Sequence, residues 1–427
     1  MTNRDKIKCL CNIAENFDKT FDVKKIYEAY KEELSYTCKG KKNSSFYSRA
    51  GGLQGALDSG EFYPDIMKYF EKNTNYRFPN DPWNHESSSY NALMSGISWV
   101  ASDERIHYWA DKKIVYNFTK EMKECLLSED SIKSADNIPI NAFDYLPYDS
   151  FFICLDQSES YFGDLLSHNN SSEILGILIT KRTPLPEERP EIAIDVIFTD
   201  PDCIIKSGIN MRTLNFFIDQ AHVSLKDTIV SMYKEEVKLY TEFHKNQKIA
   251  KVARDYSEIE IESLQQDLLI EPIIAKYIPL VLYLAAENAQ IKEVKPPKEK
   301  KPLPNKGKLK NIPQKTEPKK FIVGEEFAIN YRKYQAARSS SSKSSSDGTS
   351  YTMAPHARKA HWHHFWKGSD VNPEKNGPRR LVLQFVEETF IHKELKEMVR
   401  PTVISVDSSS KADSDITDIS EEDEKDL

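Results

Sequence analysis

The densest group of reactive side chains in this 427-residue chain is Pro355-His356-Ala357-Arg358-Lys359-Ala360-His361-Trp362-His363-His364-Phe365-Trp366-Lys367-Gly368, which holds four of its ten histidines and two of its five tryptophans. With a period of two, His361, His363 and Phe365 share one face of a strand and Trp362, His364 and Trp366 the other. Three readings suit the pattern. In the catalytic one, His361 and His363 are general acid and base for RNA cleavage. They exchange protons with the 2′-hydroxyl and the leaving oxygen while Arg358 or Arg379 stabilises the phosphorane. In the binding one, the contacts are His356, Arg358, Lys359, Trp362, His364, Trp366, Lys367, Arg379 and Arg380. The cations would meet phosphates and an exposed ring would stack on a single-stranded base. In the architectural one, Trp362, Trp366 and Phe385 are core and the histidines satisfy buried polar positions. A zinc ion would need a third ligand beside His361 and His363 that the sequence does not identify, so no metal and no cofactor is assigned.

These side chains need a rigid carrier. Turn formers follow the window at Gly368, Asn372-Pro373 and Asn376-Gly377-Pro378, and Arg379-Arg380-Leu381-Val382-Leu383-Gln384-Phe385-Val386 reads as a second strand. The two strands make a β-hairpin.

The remainder reads as α+β: a helical N-terminal region, an antiparallel sheet packed by long helices, and the hairpin module after a disordered linker. Residues 1–135 are the helical region, with Asp22 as an N-cap before Val23, Ile26, Tyr27 and Tyr30, and a helix from Ser89 to Lys112 turning Trp99, Ile106 and Trp109 to an apolar side. A basic run follows Cys38, and Asp81-Pro82-Trp83 reads as a turn. His85 and His107 are ordinary partly buried or surface histidines.

Residues 136–290 are the core domain. Phe151–Leu155, Ile174–Ile179 and Ile192–Phe198 are apolar runs of strand length separated by turn signals, which predicts an antiparallel meander. Asp156, Glu159, Asp164, Asp195, Asp200 and Asp202 recur near these strands without a metal-specific spacing, so solvated strand ends explain them. Ser224 is a capping candidate for a helical region carrying Val230, Tyr233, Val237, Tyr240 and Phe243 in one stripe. Pro272 opens a further, nearly all-apolar helix that Pro279 kinks.

Residues 291–320, alternating lysine with proline, form the linker. Residues 321–400 carry a short helix from Gly324 to Gln335, a serine-rich spacer at 339–350 and the hairpin. Residues 401–427 are an acidic, disordered tail.

Net charge of −7 argues against a general polyanion binder, and six scattered cysteines without a C-x-x-C pair favour reduced thiols rather than a disulfide framework. The longest apolar stretch, Ile278 to Ala286, is too short for a membrane span, and the N-terminus lacks the apolar run of a signal peptide. A cytoplasmic protein without a membrane or small-molecule partner is expected.

Taken together, Gly324-Glu325 … Tyr331-Arg332-Lys333-Tyr334-Gln335, the polar spacer, Pro355-His356-x-Arg358-Lys359-Ala360-His361-Trp362-His363-x-Phe365-Trp366-x-Gly368 and the basic second strand resemble the C-terminal module of the large type V-A anti-CRISPR protein family. Leu146-Pro147 and Ile278-Pro279 with Tyr283-Leu284 … Ala286-Glu287 are similar to it in the same order, so the resemblance covers roughly 140–390. The chain departs from the family at Gln384-Phe385-Val386-Glu387-Glu388, where a tryptophan and prolines are usual, and its N-terminal part is larger. The resemblance implies a mobile-element protein that recognises the nascent N-terminal polypeptide of the type V-A RNA-guided nuclease during translation and brings about loss of its messenger. The implied partners are that polypeptide and messenger RNA or the ribosome. The alternatives are a histidine-dependent, metal-independent ribonuclease toxin and a general RNA-binding regulator.

Overall fold

Seven strands form the spine of the protein, in the order β5-β4-β3-β2-β1-β7-β6. They are β1 (Ile114–Phe118), β2 (Ser150–Cys154), β3 (Ile174–Arg182), β4 (Glu191–Thr199), β5 (Ile209–Phe217), β6 (Ile291–Val294) and β7 (Lys319–Val323). The computed structural model describes residues 2–29, 61–78, 87–155, 174–182, 190–199, 209–218, 223–231, 274–295, 317–341, 356–369, 371, 374, 377–387 and 389–391. The architecture is α+β.

The antiparallel meander is present as β2, β3 and β4, and β5 extends it. The sheet as a whole is mixed, which corrects the expectation of an antiparallel one: β1 runs parallel to both β2 and β7. A parallel pair needs a long crossover. Residues 119–149 supply it for β1 and β2, as two short helices and a 3-10 turn (Ile140–Tyr145). β1 also lies inside the region expected to be helical. It is a five-residue strand directly after a long helix, and its neighbours come from far along the chain.

Helices α1 (Asn3–Asp18), α2 (Tyr63–Asn73) and α3 (Ser87–Ala110) make the N-terminal layer. Thr2 caps α1 through its hydroxyl, and Asp22 accepts from the backbone N–H groups of Lys24 and Lys25 at the start of helical residues 23–29. Ile7, Leu10 and Ala14 of α1 and Ile106 and Trp109 of α3 pack on Val115, Phe152, Leu178 and Ile197 from one sheet face. A buried ion pair crosses this contact. Arg105 Nε donates to Asp195 Oδ2 at 2.9 Å, its Nη2 donates to Thr213 Oγ1 at 2.8 Å, and the Thr213 hydroxyl donates to Asp195. Asp195 is therefore held by its own sheet and helix. The other five acidic residues grouped with it lie outside the described residues, as do Trp83, His85, the basic run after Cys38, Tyr233, Val237, Tyr240, Phe243, Pro272, the tail and most of the linker and serine spacer.

The other sheet face carries α4 (Lys120–Leu126), α5 (Glu129–Ala135), α6 (Ile278–Ala285) and α7 (Glu325–Ser341). Pro279 sits in the first turn of α6, where a proline forfeits no helical hydrogen bond, and a turn at 276–277 separates α6 from helical residues 274–275. Ser224 caps residues 225–231 by accepting from the Asp227 N–H at 3.1 Å. Ile229 packs on the core while Val230, one helical position on, is 40 % exposed. Residues 291–294 and 319–320, placed in the linker by composition, are strand: β6 and β7 bracket it, and β7 lies between β1 and β6. Arg332 of α7 grips Glu121 of α4 with two hydrogen bonds, at 2.6 and 3.1 Å.

Candidate functional site

The histidine-tryptophan window folds as a two-stranded ribbon. β8 (His356–Arg358) and β9 (His361–Lys367) run antiparallel to β11 (Thr389–Ile391) and β10 (Arg380–Val386). His361 lies opposite Val386 and Arg358 opposite Thr389, so one register carries through the break at Lys359-Ala360. Gly368 closes the β9 end with φ +93, where an added Cβ would meet the Pro378 carbonyl oxygen at 2.3 Å. Only glycine fits there.

The alternation read from the sequence is real. Trp362 is buried, His364 and Trp366 are half-buried, and His361, His363, Phe365 and Lys367 are exposed. On β10, Leu381, Leu383 and Phe385 join Ala360 and Trp362 in the main core. The ribbon is thus docked on the domain by one face.

Docking uses specific hydrogen bonds as well as apolar area. The Trp362 indole N–H donates to Ser131 Oγ at 3.2 Å and its backbone N–H to Ser134 Oγ at 3.0 Å, both from α5. Phe385 lies 4.8 Å from Trp362 and 5.8 Å from Tyr283 of α6. Along the open edge of β10, Leu383 accepts from the Glu287 N–H, Phe385 exchanges two bonds with the Asn288 side chain, and the Leu381 N–H donates to the Tyr145 hydroxyl. These contacts satisfy backbone groups that a lone ribbon would leave to water. Gln290 ties in the adjoining elements: it donates to Tyr283 Oη and Glu387 Oε1 and accepts from the backbone N–H groups of Gly324 and Phe327. Burial, reinforced by the nearby Glu326 charge, pushes the Glu387 carboxyl up to about 7.

The candidate residues divide sharply. Trp362 belongs to the core and cannot stack on a ligand. His364 is half-buried, and desolvation with the adjacent His363 lowers its pKa, which favours the neutral ring. Trp366 packs at the core margin, and the Arg379 guanidinium lies 4.8 Å from its ring centre. Lys359 pairs with Asp130 at 3.0 Å and Arg380 with Glu287 at 2.9 Å. His356 and Arg358 lie in β8. His361, His363 and Lys367 stand on the outer face beside Phe365.

His361 Nδ1 lies 3.1 Å from the Lys359 carbonyl oxygen, to which it can only donate. Among the described residues no carboxylate hydrogen-bonds either His361 or His363, and no group of three or more His, Cys, Asp or Glu could hold a metal ion. The anchors Ser131, Ser134 and Asn288 were not read as functional from the sequence. Their only signal was two serines three apart on a short helix, and nothing local points to a partner some 230 residues away.

The description "anti-CRISPR type V subtype A2 family" belongs to the family model, AcrVA2-like, that matches residues 116–393. No curated protein matches. Among solved structures, the crystal structure of AcrVA2 is similar with a TM-score of 0.38 at 14 % identity, over 89 % of this chain and 97 % of that one. The family match runs from β1 to just past β11 and takes in the sheet, the strands bracketing the linker and the whole ribbon. The chain belongs to the anti-CRISPR type V subtype A2 family.

Proposed function

We propose that this protein recognises the nascent N-terminal polypeptide of the type V-A CRISPR nuclease and lowers its expression through loss of the messenger, acting in the cytoplasm with its ribbon on RNA or the ribosome. Family membership supports the coarser part: an anti-CRISPR function, evasion of host defence and an interaction with the CRISPR system. One observation favours the ribbon as the working surface. On β9 it turns Trp362 to the core and presents two histidines, a phenylalanine and a lysine to solvent.

That arrangement suits binding better than cleavage. A general acid and base need positioned, oriented rings; the Lys359 carbonyl oxygen orients His361, but among the described residues no hydrogen bond orients His363. Purified protein incubated with the nuclease messenger in EDTA should leave it intact, and a translating extract should yield nuclease nascent chains when this protein is pulled down. Cutting of naked messenger would instead mark a histidine-dependent ribonuclease, and capture without nascent chains would remove the polypeptide from the account.

A further inference from the structure

We propose that the outer face of the ribbon is a stacking platform for single-stranded RNA, with His361, His363 and Phe365 as a ladder of rings and Lys367 as the phosphate contact at its end. This rests on the reading that the ribbon engages RNA, and it specifies which atoms do so and in what form the RNA is bound. The three rings recur every second residue along β9, about 7 Å apart along the strand. The His363 and Phe365 ring centres are 5.8 Å apart. Such a row can meet the faces of successive unpaired bases, which a duplex hides within its stack.

The strand is held from behind. Trp362 is anchored by Ser131, Ser134 and Phe385, so the strand that presents the outer rings is fixed to the core behind them. Phe365 is 38 % exposed although an apolar ring gains nothing from water, while Val382 opposite it is buried. Charge points to a polyanion: neither 356–367 nor 379–386 contains an acidic residue, and five cations lie in those two stretches. Lys359 and Arg380 are engaged by Asp130 and Glu287, whereas Lys367 has no carboxylate partner among the described residues. Among the described side chains of β9 and β10, only Phe365 and Val386 are exposed large apolar groups, a narrow patch for apolar docking.

The test is fluorescence anisotropy of a labelled single-stranded oligoribonucleotide with the full chain across a salt series. Phe365→Ala and His363→Ala should each weaken binding about 5- to 150-fold without changing its salt slope. Lys367→Gln should reduce the slope by about 0.7, and Phe365→Tyr should bind like the wild type. Thermal melts of all four variants should match the wild type, because each altered side chain is exposed. Wild-type affinity in both ring-to-alanine variants, or equal affinity for a duplex of the same sequence, overturns the ladder. So would loss of a protein partner from a translating extract with oligonucleotide binding intact. Messenger level in cells separates this from the functional reading: loss that persists in ring variants unaltered in RNA affinity sinks the ladder alone, whereas RNA binding that follows the ladder without messenger loss sinks the reading alone.

Discussion

Trp362 and Phe385 face each other across the ribbon with ring centres 4.8 Å apart, and the Trp362 indole N–H reaches Ser131 of a helix far upstream in the chain. The pair locks a histidine-rich strand to the core and leaves its other face to solvent.

Trp362→Ala should therefore lower stability by about 3–5 kcal/mol, because it opens a cavity and strips the Ser131 hydroxyl of a partner. Phe365→Ala, three positions along on the exposed face, should stay within about 0.5 kcal/mol. Chemical denaturation of the two variants measures the contrast, and similar losses in both would show that the faces are not divided as described.

Gly368→Ala and Gly377→Ala should rank in a fixed order. Both glycines have positive φ, but an added Cβ at Gly368 meets Pro378 backbone at 2.3 Å while at Gly377 it meets nothing within 4 Å. Gly377→Ala should cost about 1–2 kcal/mol from backbone conformation alone, and Gly368→Ala more. The reverse order in thermal melts would contradict the loop geometry.

The hairpin was legible because an aromatic-rich β9 is followed by a loop punctuated by Gly368, Pro373 and Gly377-Pro378 and then by the apolar run of β10. The meander was legible for the same kind of reason, as apolar runs with turn signals between them. The centre of the sheet was not. β1 is Ile-Val-Tyr-Asn-Phe directly after a 24-residue helix, and its pairing with β7 joins residues some 200 positions apart, which no local pattern records. Composition also misled at the linker, where Lys292 and Lys319-Lys320 look solvated yet sit in β6 and β7. At the site, the alternation separated the faces but could not say which one met the core. Trp362 and His364 were candidates for ligand contact until Ser131, Phe385 and Tyr283 claimed that side.

Because β6 and β7 flank the linker within one sheet and the ribbon packs on α5 and α6, cleavage of the lysine-rich stretch between them should not release a free C-terminal piece. Limited trypsin digestion should give two fragments on a denaturing gel and one peak by native size exclusion. Separation of the fragments without denaturant would contradict the shared sheet.

Glu387 predicts a pH dependence. Its ordinary value is 4.5 and burial raises it to about 7, so between those pH values the folded protein holds a proton that the unfolded chain releases. Stability from this group falls as pH rises through that window and is flat above it. Asp103, buried and raised from 3.8 to about 7, acts in the same direction. Glu387→Gln should melt above the wild type at pH 8 and equal it near pH 4, and a difference independent of pH would refute the assignment.

The most direct measurement of the central claim compares two nuclease messengers that differ by compensating single-nucleotide shifts bracketing the first codons, so that nearly the same RNA encodes a different N-terminal peptide. With this protein present, the account predicts loss of the native-frame messenger and survival of the shifted one. Equal loss of both, or loss of neither, would contradict recognition of the nascent polypeptide.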